Sequence, residues 1–84
     1  MKLLLMDDHD LFSISLKIIL EQKENIEKVI LLKDSKNLEH CIKNNHITLV
    51  LLDIRLGKEN GLEIGKELKA KHPEILLFFL TGFD

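Results

Sequence analysis

Cysteine and proline are nearly absent from this chain: one of each occurs, Cys41 and Pro73. A lone cysteine cannot close an internal disulfide, so a reducing, cytoplasmic setting is expected. Cys41 sits in a helix-like segment and reads as core filler rather than as a reactive thiol. No apolar run approaches the ~20 residues a membrane helix needs, and no membrane contact is expected. No signal peptide is expected either, since only Lys2 precedes the short Leu3–Met6 run and acids follow at once. There is no basic stripe or charged tail: 12 basic residues face 14 acidic ones, for a net charge of -2. That balance argues against nucleic acid as a direct partner. Internal repeats, low-complexity stretches and linkers are lacking as well. What remains is an 84-residue chain, 45% hydrophobic. That is too apolar for disorder and long enough for one small domain over residues 1–84.

Apolar runs alternate with longer amphipathic stretches. Leu3–Met6 is a short unbroken apolar run, as in a strand buried on both faces. Asp10 is placed to cap a following helix. Its apolar stripe is Phe12, Leu16 and Ile19, widened by Leu11, Ile14 and Ile18. A second strand is expected over Ile26–Leu32. Asp34 or Ser35 then caps a second helix with Leu38, Cys41 and Ile42 inward, ended near Asn44 and Asn45. Ile47–Leu52 is the third strand, running into Asp53. A loop with Gly57 and Gly61 leads to a third helix over about Leu62–Lys71, with Leu62, Gly65 and Leu68 on one face. His72-Pro73 stops it, because the residue before proline avoids helical dihedrals. Ile75–Leu80 is the fourth strand, with Phe78 and Phe79 as core by default. This βαβαβαβ order predicts an α/β fold with a parallel sheet and helices on both faces.

Two strands end in carboxylates: Asp7 and Asp8 after the first, Asp53 after the third. In such sheets the ligand crevice lies at the carboxyl ends of the strands. If the first and third strands are neighbours, a spacing of about 4.8 Å brings these acids within reach of one another. Clustered carboxylates raise one another's pKa or bind a cation, and hard oxygen donors suit Mg2+. A carboxylate nucleophile can form an acyl phosphate. Singly, each aspartate is also an ordinary capping residue; their combination at neighbouring strand ends favours a site that takes phosphate and metal. His9 follows the pair and reads as a solvated loop residue. His40, His46 and His72 lack ligand spacing.

Three stretches resemble the response-regulator receiver family. They are Met1–Leu20 with Met6-Asp7-Asp8-His9, the run Leu49–Gly61 around Asp53, and Leu80-Thr81-Gly82. The resemblance spans the whole chain. It implies a flavodoxin-like doubly wound sheet of strand order 2-1-3-4. It implies Asp53 as phosphoacceptor, with Asp7, Asp8, Asp53 and the backbone carbonyl of Arg55 holding Mg2+. Thr81 would be the switch hydroxyl drawn to the phosphoryl group. The implied partner is a sensor histidine kinase. The start Asp7-Asp8-His9-Asp10-Leu11-Phe12 is similar to the branch that carries a helix-turn-helix DNA-binding domain after the receiver.

Departures from the family pattern shape two further expectations. Leu56-Gly57 stands where the family has Met-Pro, which should loosen the loop after Asp53. The chain stops before the fifth strand and last two helices, and before the lysine that ends that strand. An alternative function therefore follows for the chain alone: a phosphorylation-impaired interaction module, homodimeric through the exposed fourth strand or by element exchange. A haloacid-dehalogenase-type phosphotransferase needs a second aspartate two residues after the nucleophile, where this chain has Arg55.

Overall fold

The computed structural model describes residues 1–80. In order, the elements are β1 (Lys2–Met6), α1 (Asp10–Glu21), β2 (Lys28–Leu32), α2 (Leu38–Asn45), β3 (Leu49–Asp53), β4 (Arg55–Leu56), β5 (Glu59–Asn60), α3 (Gly61–Lys71) and β6 (Leu76–Leu80). Four strands form a parallel sheet in the order β2-β1-β3-β6, and β4 and β5 make a separate antiparallel hairpin. Counting only the parallel strands, this is the expected order 2-1-3-4.

The strands form where apolar residues run unbroken, because both faces of the sheet are covered. Leu4 and Met6 of β1 and Val50 and Leu52 of β3 face one layer. There they meet Leu38, Cys41 and Ile42 of α2 and Leu68 of α3. Leu3 and Leu5 point the other way, with Val29, and pack under Leu16 and Leu20 of α1. Two helices thus cover one face and one helix the other. Parallel register pairs Met6 with Leu52, so the residues after β1 and at the end of β3 emerge at one level of the same rim.

Several expectations need correction. The inward stripe of α1 runs through Ser13, Leu16 and Leu20, while Leu11, Ile14, Ile18 and Ile19 are exposed, Leu11 at 82%. A single helix over four strands needs only a narrow apolar stripe, so the surplus points outward. Asp10 is the first helical residue, not the cap; His9 holds the N-cap position and Asp10 pairs with Lys33 at 2.8 Å. Neither Asp34 nor Ser35 caps α2, which starts after Asn37. Asp34 instead accepts from the Lys36 amide in a local turn, and Ser35 is engaged elsewhere. The left-handed residue ending α2 is His46, at φ 52. β2 and β3 begin two residues later than expected. Leu62 is exposed; Gly61, Gly65 and Leu68 form the buried face of α3. Phe78 and Phe79 are exposed rather than core, since β6 is an edge strand of the described sheet.

The outer edge of β2 is covered by side chains. Glu21 Oε2 accepts from the Val29 amide at 2.9 Å, and Lys17 Nζ donates to the Val29 carbonyl at 2.8 Å while pairing with Glu21. Both backbone polar groups of Val29 would otherwise offer a template to another strand.

Candidate functional site

The rim where β1 and β3 end is held by backbone geometry. Asp53 is the last residue of β3, and the chain turns at once into the β4–β5 hairpin. Leu56 anchors that hairpin in the core, at 1% exposure. The connection is the two-residue loop Gly57-Lys58. Gly57 has φ 60, and Lys58 is not in the left-handed region. Positive φ at the first central residue alone, on glycine, is the signature of a type II′ hairpin turn. Proline cannot take that dihedral, so the Leu56-Gly57 departure builds a defined hairpin rather than a loosened loop. The turn lies against the acids: a Cβ on Gly57 would sit 3.5 Å from Asp8 Oδ2.

Gly61 is required for a different reason. Its amide donates to the Ile54 carbonyl at 2.8 Å. A Cβ there would overlap the Asp53 carbonyl oxygen and come 2.7 Å from that of Ile54. Only a residue without a side chain lets the start of α3 press against the backbone that carries Asp53. The Asn60 side chain then caps α3, accepting from the Leu62 and Glu63 amides. The sequence reading did not single out Asn60, although asparagine before an amphipathic run is a capping signal.

Asp7, Asp8 and Asp53 converge. With His9 they bring four potential ligand atoms within 4.8 Å of one another. Asp7 and Asp53 are buried and Asp8 is exposed. Asp53 Oδ1 accepts from the Arg55 amide at 3.1 Å. Burial pushes the Asp53 carboxyl above the ordinary carboxylate range, the Arg55 amide opposes this, and the charge of Asp7 adds to it. His9 belongs to the cluster even though its ring is mostly exposed. Its Nδ1 donates to Asp7 Oδ1 at 2.7 Å, and its backbone amide donates to the same oxygen at 2.8 Å. Nδ1 also lies 3.4 Å from Asp8 and 3.6 Å from Asp53. The bond to Asp7 raises the His9 pKa. A histidine directly after two strand-end acids was the available signal, and a solvated reading passed over it.

Three carboxylates at one rim are hard oxygen donors and fit a divalent cation of the Mg2+ type. Arg55 is in β4, with its amide toward Asp53. Thr81 lies outside the described residues. Among the described residues, no helix is long and apolar enough to cross a membrane.

The sequence matches the response regulator receiver domain model over residues 3–84. The chain belongs to the response-regulator receiver family. It is 28% identical over 83 residues to the transcriptional regulatory protein DegU of Brevibacillus brevis, covering 99% of this chain and 35% of that protein. It is 31% identical over 87 residues to the transcriptional regulatory protein ComA of Bacillus subtilis, covering 99% of this chain and 40% of that protein. The chain thus spans well under half the length of these curated relatives. Its fold matches the non-phosphorylated HemR receiver domain from Leptospira biflexa with a TM-score of 0.83 at 29% identity, covering 98% of this chain and 64% of that one. Receiver domains are signalling domains whose general role is to accept a phosphoryl group. They bind Mg2+ at the acidic cluster that Asp7, Asp8 and Asp53 form here.

Proposed function

We propose that this receiver takes a phosphoryl group from a sensor histidine kinase onto Asp53, with Mg2+ held by Asp7, Asp8, Asp53 and the carbonyl of Arg55. The observation that carries this is the meeting of Asp7 and Asp8, from the end of β1, with Asp53 from the neighbouring β3. Bound Mg2+ would offset the negative charge shared by the carboxylates and the incoming phosphoryl group. The protein supplies the rest. The Arg55 amide holds Asp53 Oδ1, which orients the carboxylate and leaves Oδ2 as the nucleophilic oxygen. His9 fixes Asp7 through two donors on one oxygen, leaving its second oxygen for the cation. Burial of Asp53 keeps the nucleophile poorly solvated. Thr81, one residue beyond β6, is assigned the switch hydroxyl, on the family pattern.

The parent protein is read as a cytoplasmic response regulator with a helix-turn-helix output domain, a reading supported by the transcriptional names of DegU and ComA. Incubation with acetyl phosphate and Mg2+ tests the assignment. One phosphoryl group per chain, labile to alkali and to hydroxylamine as an acyl phosphate is, is expected by mass spectrometry, absent in Asp53→Ala. A phosphorylated Asp53→Ala, or a wild type that stays unlabelled, would refute it.

A second reading, for the 84-residue chain on its own, is self-association. Leu76 and Phe78 of the edge strand β6 are each 55% exposed on the face that α1 leaves uncovered. Apolar edges of this kind recruit another copy. Sedimentation should give a dimer at micromolar concentration; a compact monomer would remove this reading.

A further inference from the structure

At the phosphoacceptor rim a polar link ties the loop after β2 to the β4–β5 hairpin. Ser35 lies between β2 and α2, 24 residues before Glu59 of the β4–β5 hairpin. The Ser35 amide donates to Glu59 Oε1 at 2.9 Å, and the Ser35 hydroxyl donates to Glu59 Oε2. Both carboxylate oxygens are thus engaged by one residue, a two-point contact that fixes direction as well as distance. Both residues are part-buried. Ser35 is itself tied to α2, because its carbonyl accepts from the Leu38 amide.

The hairpin fastened in this way is the one that touches the site. Its first residue donates to Asp53 Oδ1, its turn residue Gly57 lies beside Asp8, and its last residue caps α3. Leu56 pins one strand of the hairpin into the core; Glu59 on the other strand is held by Ser35. We propose that Glu59 is a positioning residue, clamped by Ser35 so that the hairpin stays closed over the pocket and limits water access to an acyl phosphate on Asp53. The proposal rests on the assignment of Asp53 as phosphoacceptor. In the step it controls, a water oxygen bonds to phosphorus as the bond from phosphorus to the Asp53 carboxylate oxygen breaks. The electron pair returns to the carboxylate, and inorganic phosphate leaves with the water-derived proton passing to solvent. Glu59 touches none of these atoms; it acts through the position of Arg55 and Gly57.

The test uses the intact protein, loaded with acetyl phosphate and Mg2+ and then stripped of donor. Loss of the phosphoryl group is followed in wild type, Glu59→Ala, Ser35→Ala, the double variant and Glu59→Gln. Glu59→Ala, which loses both bonds, should speed hydrolysis about five- to tenfold, the net scale of an ordinary hydrogen bond; Ser35→Ala, which keeps the amide bond, should speed it about two- to threefold. The double variant should be no faster than Glu59→Ala, because that change already removes both bonds. Glu59→Gln should stay within about twofold of wild type, since its carbonyl can accept from the Ser35 amide and its NH2 can donate to the hydroxyl. Amide hydrogen exchange in the unphosphorylated protein supplies a second measurement that does not need a loaded Asp53. Arg55 and Gly61 should exchange faster in Glu59→Ala. Unchanged exchange at both amides, a folded Glu59→Ala with wild-type phosphoryl lifetime, or additive effects in the double variant would each overturn the clamp. Absence of label on Asp53 would instead defeat the assignment of the phosphoacceptor, and exchange alone would then decide whether Glu59 holds the hairpin.

Discussion

Replacing Asp53 by asparagine should stabilise the protein when no metal is bound, even though it removes the residue on which the proposed chemistry depends. The ligand atoms of Asp7, Asp8 and Asp53 lie within 4.8 Å of one another. Two unit charges at that separation repel by about 3.5 kcal/mol at an effective dielectric near 20. Asp53 faces two such neighbours. Two features reduce the sum: Asp8 is exposed and screened, and His9 offsets part of the charge when protonated. A net relief of about 1–3 kcal/mol remains. Asparagine keeps the shape and still accepts from the Arg55 amide, so little packing is lost. For a domain of this size each kcal/mol moves the melting temperature by about 4–8 °C. Thermal and urea unfolding should be followed by circular dichroism, once with chelator and once with Mg2+ in large excess. In chelator the variant should melt higher. With Mg2+ the wild type should gain more, approaching about 2.7 kcal/mol at a hundredfold excess over its dissociation constant, and the two curves should close up. A variant that is less stable than wild type in chelator would show that the three acids do not share one repulsive pocket. That result would remove the electrostatic case for a cation there.

Four other perturbations probe the supports of the site. Gly61→Ala should cost about 2–3 kcal/mol in urea unfolding, because the added carbon meets the backbone of Asp53 and Ile54 rather than a movable side chain. Gly57→Pro, which restores the proline of the family pattern, should destabilise by more than about 1 kcal/mol, since φ 60 is closed to proline; a stabilised variant would refute the type II′ turn. His72 Nε2 lies 3.0 Å from Glu39 and lowers the Glu39 pKa below its ordinary 4.5. A depressed carboxyl pKa contributes stability that is present above pH 4.5 and lost as pH falls through the folded value. The midpoint gap between wild type and His72→Gln should therefore close in acid, and a gap independent of pH would argue against the pairing. Burial pushes the Cys41 thiol up, so alkylation by iodoacetamide at pH 8 should be slow until denaturant is added; rapid labelling of folded protein would contradict its place in the core.

The strands were legible because a parallel sheet covered on both faces demands continuous apolar runs, and Leu3–Met6 and Leu49–Leu52 have few other uses. Each run stops at an acid, so the ends of β1 and β3 could be located without coordinates, and with them Asp7, Asp8 and Asp53. Helix faces were harder to read. On α1 the apolar residues outnumber the sites that the sheet can bury, and spacing alone does not tell Leu16 and Leu20, which pack, from Ile14 and Ile18, which do not. Phe78 and Phe79 failed for a related reason: burial of a strand residue depends on what lies beside and above it, which the residue type does not encode.

The contacts that escaped the sequence altogether are those between loops. Nothing local marks Ser35 as the partner of Glu59, and Ser35 even carries a competing reading as a helix cap. The bond exists because β2 and β3 flank β1, which brings the loop after β2 and the hairpin after β3 to the same rim. His9 is intermediate. It adjoins Asp8 in sequence, yet its ring reaches Asp7 because its own backbone amide already bonds that carboxylate and leaves Nδ1 over the same oxygen. The chemistry-bearing acids are thus set by where strands end, whereas their orientation is set by hydrogen bonds that only the folded topology brings within range.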